Sequence, residues 1–336
     1  MRGAAWYRSS RNQRWIGSCL IFFLVALTLN LNFVPKSRRT TGLKNEEEGY
    51  LMMKKPLLQL HLVGRMGNCI LQWATAMSIA RRNNMELCSI VEIRSRELED
   101  WFEASFPLCE DMSKGYNWDG MTTPSWELTR DAKDFHNVEL LGYFNNVTEW
   151  DSIYDDVLTQ FTLKQSHIDR ANDFLQKEVG GNDNNEYITV GIHARYGDKG
   201  RSPNWVSANR EYYVAAMEAA ERMIPAKDTG KDIRFLLATE PHDAAWWDSL
   251  NLPLQSKVIH IGMNDVGDFT VLTLCDHLIV SEGTYSFLAA WFMENGNRRR
   301  KENDGNRIIF HDPRYFAPNI PNTPHPMPSW TQISNY

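Results

Sequence analysis

The chain has 336 residues, of which 43% are hydrophobic and 23% are charged. This composition is typical of a globular protein and excludes a collagen, a low-complexity protein and a wholly disordered chain. A formal net charge of -6 argues against a protein whose main role is non-specific nucleic-acid binding, and we expect no nucleic-acid partner. The 12 Trp, 12 Tyr and 15 Phe favour aromatic core packing over sugar stacking.

The amino-terminal region predicts a membrane anchor. Residues 16–34 carry no charge and are long enough to cross a bilayer about 30 Å thick. Four arginines precede this stretch, which favours a cytoplasmic amino terminus. We predict a cytoplasmic tail at 1–14, an uncleaved signal anchor at 15–35 and a polar stem at 36–55, with the rest of the chain in the lumen. The alternative is a cleaved signal peptide, which is less favoured because no clear Ala-x-Ala site follows the apolar stretch.

The cysteines and one short motif agree with a luminal location. Outside the anchor lie Cys69, Cys88, Cys109 and Cys275, which allow one or two disulfides without naming their pairing. No group has the spacing of zinc ligands, so no structural metal is predicted. Asn146 begins an Asn-Val-Thr sequon and is a candidate glycosylation site.

The first half of the catalytic region, 56–186, opens with a strand-turn-helix unit. A strand is predicted over 57–63, a glycine-containing turn over 64–68 and a helix over 69–83. Two glycines in the turn let backbone amides approach a ligand, and the helix that follows could hold an anion. The turn lacks a complete Gly-x-Gly-x-x-Gly, so a dinucleotide site is not predicted. Further along this half, the pattern predicts strands over 86–93 and 138–144 and a helix over 164–178.

The second half, 187–336, alternates regularly between strand and helix. Strands are predicted over 187–193, 234–239, 257–261, 277–281 and 307–310, and between them helices over 211–223, 242–250, 268–275 and 285–293. Strands that alternate with helices imply right-handed crossovers and a parallel sheet covered on both faces. The fold class is therefore α/β, with a Rossmann-like parallel sheet in this half.

Polar residues recur at the carboxyl ends of these strands, where open α/β sheets bind ligands. The candidates are His193, Arg195, Asp198, Thr239, Glu240, Thr284 and Ser286. A guanidinium can grip a phosphate with two hydrogen bonds, and a helix that starts near Thr284 can add amide donors. Plainer interpretations stay open, because Thr284 and Ser286 could be helix caps, Asp198 a turn acceptor and His193 a core histidine.

Other classes of enzyme find little support. The chain has neither a Gly-x-Ser-x-Gly elbow nor a phosphate loop with Gly-Lys-Thr, which excludes serine hydrolases and P-loop proteins. No Asp-x-Asp occurs among the strand-end residues, so a metal-dependent transferase is not favoured.

Several segments, in order, resemble the α-1,2-fucosyltransferases, Golgi enzymes that add fucose from GDP-fucose to terminal galactose. The segment from His193 to Asp198 resembles the family's His-x-Arg-Arg-Gly-Asp-Tyr motif, and 268–291 resembles its last motif. The remaining matches are the Gly-Arg-Met-Gly-Asn turn at 64–68, Gly-Tyr-Phe at 142–144 and Pro-Ser-Trp at 328–330. The departures are Tyr196 for the second arginine, Lys199 for the motif tyrosine, Cys69-Ile70 for Gln-Met and Phe287-Leu288 for Trp-Trp.

The resemblance implies a GT-B-like two-domain fold that needs no metal or other cofactor. The donor GDP-fucose would bind the half at 187–336, and a β-galactoside-terminated glycan would bind the half at 56–186. Arg195 would contact the GDP phosphate, and we take Arg195, His193 and Asp198 as candidate catalytic residues. The candidate donor-binding residues are His193, Arg195, Thr239, Glu240, Thr284, Tyr285 and Ser286, and the turn residues Gly64, Arg65, Gly67 and Asn68 could contact donor or acceptor.

The sequence leaves two other functions open. The chain could be a luminal sugar-binding protein that lost turnover, an interpretation that Tyr196 favours. It could also be a GDP-fucose transferase that modifies protein hydroxyls or core N-glycans. The sequence does not name the catalytic base.

Overall fold

The computed structural model describes most of the chain from Lys55 onward. The described ranges are 55–110, 137–144, 147–180, 187–197, 208–225, 230–296, 307–316 and 327–333. The predicted membrane anchor at 15–35, the sequon residue Asn146 and the motif residue Asp198 lie outside these ranges. Within them, no helix combines the length and the apolar composition that crossing a bilayer requires.

The first half of the described chain forms a three-stranded sheet. Its strands are β1 Leu57–His61, β2 Glu86–Ser89 and β3 Asn137–Leu141. Both pairs are parallel, and β1 lies in the centre, in the order β2-β1-β3. Leu58 and Leu60 of β1 are fully buried. The apolar run that predicted this strand therefore forms the middle of a covered parallel sheet.

The described residues of the first half also form four helices: α1 Met66–Arg82, α2 Glu92–Trp101, α3 Tyr154–Gln160 and α4 Gln165–Glu178. Helix α1 is apolar or small on nearly every side, and 66–80 is buried almost throughout. A helix with this composition is stable only when protein surrounds it. The turn that contains Gly64 and Gly67 lies between the carboxyl end of β1 and the first residues of this helix.

The strand predicted over 86–93 is too long, and α2 was not predicted. The chain turns after Ser89, whose hydroxyl accepts the backbone N–H of Val91 at 3.0 Å, and the helix begins at Glu92. Only Ser95, Leu98 and Trp101 of α2 are buried. This apolar stripe is too narrow to stand out among the charged residues of the helix.

The second half forms a six-stranded sheet. The strands are β4 Tyr187–Ala194, β5 Asp232–Thr239, β6 Val258–His260, β7 His277–Ile279, β8 Ile309–His311 and β9 Thr331–Gln332. All neighbours are parallel, in the order β6-β5-β4-β7-β8-β9. The α-helices among the described residues of this half are α5 Arg210–Met223, α6 Ala244–Ser249, α7 Asp265–Leu274 and α8 Thr284–Gly296. The predicted α/β fold with parallel sheets is confirmed, whereas the GT-B-like two-domain arrangement stays a prediction.

Two local features explain where these elements lie. Gly191 allows β4 to pack closely, because a Cβ there would lie 2.5 Å from a methyl group of Leu278 and 2.8 Å from one of Leu272. Helix α7 begins earlier than the predicted 268 because the side chain of Asn264 caps it, accepting the backbone N–H of Gly267 at 3.1 Å.

Strand β9 was not predicted. It is only 2 residues long, which is too short for a periodic pattern to indicate a strand.

Both sheets lie within one compact unit, Lys54–Tyr336. Aromatic side chains from the two halves of the chain pack together in it. The ring centroid of Trp291 in α8 lies 5.3 Å from that of Trp150 and 5.6 Å from that of Tyr154. Many of the aromatic residues thus serve core packing, as the composition predicted.

The cysteines that the structure describes fall into two kinds. Cys88, at the end of β2, forms a disulfide with Cys109. Cys69 and Cys275 are buried thiols. Burial raises the pKa of Cys69 to about 12 and also raises the pKa of Cys275. Both thiols therefore stay protonated and unreactive at neutral pH.

Candidate functional site

A cavity of about 740 Å³ lies at the carboxyl ends of strands from both sheets. From the first sheet it is lined by the predicted turn residues Gly64, Arg65, Gly67 and Asn68. From the second sheet it is lined by the predicted residues His193, Arg195, Thr239, Glu240, Thr284 and Tyr285. The structure thus brings together residues that lie far apart in the sequence, at the edge where α/β folds bind ligands.

The glycines at 64 and 67 allow the turn after β1 to lie against the start of α8. Gly64 has a φ of +89°, a backbone conformation that favours glycine. A Cβ at Gly67 would lie 2.7 Å from the hydroxyl of Thr284 and 2.8 Å from the backbone nitrogen of Tyr285. The Thr284 hydroxyl also donates to the side-chain oxygen of Asn68 at 3.0 Å. The first strand-turn-helix unit therefore forms one wall of the same cavity.

An ion pair adds a second link between the two sheets. The guanidinium of Arg65, in the turn after β1, pairs with the carboxylate of Glu240, which follows β5. The imidazole of His242 lies 3.3 Å from the other Glu240 oxygen. Because the Arg65 side chain is 61% exposed, this pair contributes little to stability. It does place a cation and an anion at the wall of the cavity.

Arg195 follows β4 and lies beside the start of α8. A Cβ at Gly283 would lie 3.7 Å from Nη1 of Arg195, so the guanidinium passes over the backbone immediately before α8. Gly283 has a φ of +105°, and the helix begins at the next residue, Thr284. A guanidinium next to the amino terminus of a helix of this length is a suitable site for an anion such as a phosphate.

His193 is half-buried, lies two residues before Arg195 and is uncharged at neutral pH. Its Nδ1 is hydrogen-bonded to the hydroxyl of Ser286 and lies 3.3 Å from that of Ser281. Its ring centroid lies 4.8 Å from that of Tyr285. Burial, and next the charge of Arg195, lower the pKa of His193 to about 3. His193 therefore lines the site as a neutral hydrogen-bonding group.

Ser286 does not line the cavity, in contrast to the other predicted donor-binding residues. It is fully buried behind His193. Its hydroxyl lies 3.3 Å from that of Ser281 and orients the imidazole of His193. Ser286 therefore supports the side chain of His193 and does not contact a ligand directly.

Two acidic residues of α7 were not predicted as site residues. Asp265 and Asp268 lie in the first turn of the helix and line the cavity. Asp268 is 8% exposed and accepts the backbone N–H of Met263 at 2.9 Å. Burial, opposed by that hydrogen bond and reinforced by the charge of Asp265, raises the pKa of Asp268 to about 6. The only available hint in the sequence was that Asp268 begins the last motif of the resembled family.

Further polar groups complete the walls. Thr239, at the end of β5, has a buried hydroxyl oxygen without a hydrogen-bond partner among the described residues. Tyr143, from the segment after β3, is 40% exposed and lines the cavity from the side of the first sheet. In the part of the chain that the structure describes, no three His, Cys, Asp or Glu side chains converge where they could hold a metal ion.

The chain is similar to known proteins along most of its length. Residues 36–298 match the family model of glycosyl transferase family 11. Galactoside alpha-(1,2)-fucosyltransferase 2 of Rattus norvegicus is 28% identical over 246 residues, which are 70% of this chain and 66% of the rat protein. The protein of the same name from Bos taurus is 26% identical over 249 residues, which are 70% of this chain and 69% of the bovine protein. The chain thus spans about two thirds of the length of these relatives.

Among solved structures, the fucosyltransferase NodZ from Bradyrhizobium is similar with a TM-score of 0.46 and 15% sequence identity. The similarity covers 70% of this chain and 92% of NodZ.

Proposed function

Because this chain belongs to glycosyl transferase family 11, we propose that it is an inverting fucosyltransferase that uses GDP-fucose as donor. Its acceptor is the 2-hydroxyl of a terminal β-galactoside on a glycoprotein or glycolipid glycan. The rat and bovine relatives, which carry the name galactoside alpha-(1,2)-fucosyltransferase, support this choice of acceptor and linkage.

One observation carries the proposal: the Arg195 guanidinium lies at the start of α8 in a cavity that both sheets line. A diphosphate there meets a fixed positive charge and helix amides together. The volume of about 740 Å³ falls in the range of sites for small ligands and cofactors. A nucleotide sugar fits this combination better than a neutral sugar does.

The reaction follows from these charges. The acceptor hydroxyl oxygen attacks C1 of fucose on the face opposite GDP, while the bond from C1 to the phosphate oxygen breaks and its electron pair leaves with GDP. The hydroxyl proton passes to a base, and Glu240 and Asp265 are carboxylates that line the cavity. Negative charge grows on the phosphate during this step, and Arg195 with the helix amides stabilises it. We propose that these groups serve without a metal.

The buried carboxylate of Asp268 is suited to bind the nucleoside part of the donor. Guanine presents N–H donors and ribose presents hydroxyls, and an ionised carboxylate accepts hydrogen bonds from either. With a pKa of about 6, Asp268 is ionised in neutral solution despite its burial. We propose that it binds the nucleoside part of GDP-fucose.

We also propose a luminal location in the Golgi, with the chain anchored as a single-pass type II membrane protein. The uncharged stretch at 16–34 supports the anchor. The Cys88–Cys109 disulfide supports an oxidising compartment. Protection of the folded region from protease in sealed Golgi vesicles tests this topology, and digestion by external protease would contradict it.

A luminal sugar-binding protein without turnover is the second candidate, because Tyr196 stands where the resembled motif has its second arginine. GDP release from GDP-fucose in EDTA, with and without a β-galactoside, distinguishes the two candidates. Release that depends on the β-galactoside supports the transferase. GDP-fucose binding without release supports the second candidate, and transfer to peptide hydroxyls or core N-glycans redirects the linkage.

A further inference from the structure

The turn that carries Arg195 is held from behind by the segment that follows β5. The carboxylate of Asp243 accepts the backbone N–H of Tyr196 at 3.0 Å and that of Gly197 at 2.9 and 3.0 Å. Asp243 is only 1% exposed. A buried carboxylate needs such donors, so the hydrogen bonds fix the backbone on the carboxyl side of Arg195.

The ring of Tyr196 makes a second contact with the same segment. It stacks on Trp246 of α6, with centroids 4.6 Å apart and planes 11° apart. Trp246 is held in turn by Tyr213 of α5, at 6.3 Å, and by Trp247, at 6.5 Å. Tyr196 is therefore the end of an aromatic cluster that is anchored on two helices.

Space around the turn is also limited. A Cβ at Gly197 would lie 2.8 Å from Nε2 of His242. On the other side of Arg195, His193 belongs to β4 and is half-buried. Arg195 thus lies between a strand residue and a residue that is fixed by stacking and hydrogen bonding. Its backbone has little freedom to move away from the start of α8.

We propose that Tyr196 is a positioning residue, which keeps Arg195 aimed at the phosphate by stacking on Trp246 while Asp243 holds the turn. Tyr196 is not among the residues that line the cavity, so it acts through Arg195 and not on the ligand. The inference rests on the proposed function, since it assigns the phosphate to Arg195. It also explains how this chain uses a tyrosine at the position of a second arginine.

The test compares Tyr196→Ala and Tyr196→Phe in the full chain. Phenylalanine keeps the ring and the stack, whereas alanine removes both. Because a displacement of about 1 Å can cost about 10²-fold in rate, we expect Tyr196→Ala to lower kcat by about 10-fold to 100-fold. Its KM for GDP-fucose should change less than its kcat, and Tyr196→Phe should stay within about 2-fold of the wild type. Equal losses in both variants, or no loss in Tyr196→Ala, would overturn the proposal.

Tyr187→Ala is the matched control. Tyr187 starts the same strand and its ring lies 4.6 Å from the guanidinium of Arg234, so this variant also removes a packed aromatic ring. It lies at the opposite end of β4 from the cavity, and its kcat should match the wild type. A loss equal to that of Tyr196→Ala would show a general effect of strand stability and would overturn the positioning role.

Trp246→Ala and the double variant with Tyr196→Ala provide a second route if one substitution impairs folding. If the stack is the working contact, the double variant loses no more kcat than either single variant, whereas multiplied losses would overturn the proposal. Calorimetric measurement of GDP binding to the wild type distinguishes a failure of the proposed function from a failure of the positioning role of Tyr196. Failure of the wild type to bind GDP would overturn the proposed function and this inference with it, whereas GDP binding with unchanged kcat in Tyr196→Ala overturns the inference alone.

Discussion

Replacing Arg195 with alanine removes the guanidinium that lies over the backbone before α8. Nη1 lies 3.7 Å from the position of a Cβ at Gly283, close enough to share one phosphate with the first amides of the helix. Loss of one such preorganised donor costs about 10² to 10³ in kcat, or about 2.7 to 4 kcal/mol of transition-state stabilisation. We therefore expect Arg195→Ala to lower GDP-fucose turnover by about 10²-fold or more.

The assay is the initial rate of GDP release at a fixed concentration of β-galactoside. Arg195→Lys keeps the charge but loses the planar fork, so it should retain more activity than Arg195→Ala. Arg234→Ala is a matched control, because this arginine lies over Tyr187 at the other end of the sheet. Near-wild-type kinetics of Arg195→Ala would contradict a role for Arg195 at the phosphate.

The same variant has a second readout that does not depend on activity. The charge of Arg195 contributes to the low pKa of His193, after burial. Removing that charge should raise the pKa of His193 from about 3, while burial keeps it below the usual 6.5. An NMR titration of the imidazole measures this shift, and an unchanged pKa would contradict the close approach of the two side chains.

The remaining predictions concern Asp268, Gly67 and the disulfide between Cys88 and Cys109. Asp268→Asn should weaken GDP binding by about 10-fold or more by calorimetry, because hydrogen bonds to charged groups are worth about 1.5–3 kcal/mol. Folding raises the pKa of the Asp268 carboxyl from 3.8 to about 6. The contribution of the protonated carboxyl to the free energy of unfolding is therefore fully present below pH 3.8 and is lost as the pH rises through 6. Urea unfolding should therefore show that Asp268→Asn is more stable than the wild type above pH 6, by at most about 3 kcal/mol, and that it gains no stability near pH 3. If the two proteins were equally stable at both pH values, the raised pKa would be contradicted. Gly67→Ala should destabilise the chain by about 1–3 kcal/mol and raise the KM for GDP-fucose, because its Cβ would lie 2.7 Å from the Thr284 hydroxyl; Gly296→Ala, with no atom within 4 Å of its Cβ, is the control. Replacing Cys88 and Cys109 with serine should cost about 3 kcal/mol for a loop of 21 residues, measured by urea unfolding, and an unchanged midpoint would contradict it.

The regular second half of the fold could be predicted because its strands are apolar and bounded by polar turns. The strand predicted over 187–193 is β4, which ends at Ala194. Elements whose formation depends on long-range contacts were missed. Helix α2 buries a narrow stripe, and the two-residue β9 exists because it pairs with β8, so neither has a clear periodic pattern.

The site could be predicted in part for a similar reason. Strand-end residues such as Arg195 and Thr239 follow from the rule for parallel sheets, and the cavity contains both. The sequence could not place Ser286 behind His193, because the direction of a side chain depends on how α8 packs. It also gave no sign that Asp243 holds the turn after β4, since that contact joins residues 46 and 47 positions apart.

The proposed α-1,2-fucosyl transfer is tested by the linkage and the anomeric configuration of the product. Purified chain, GDP-fucose and a β-galactoside such as lactose are incubated in EDTA, and the product is analysed by NMR. We expect a single fucose in α configuration on O2 of galactose, inverted relative to the donor. A product with fucose at any other oxygen, a β product, or no transfer while GDP-fucose binds, would contradict it.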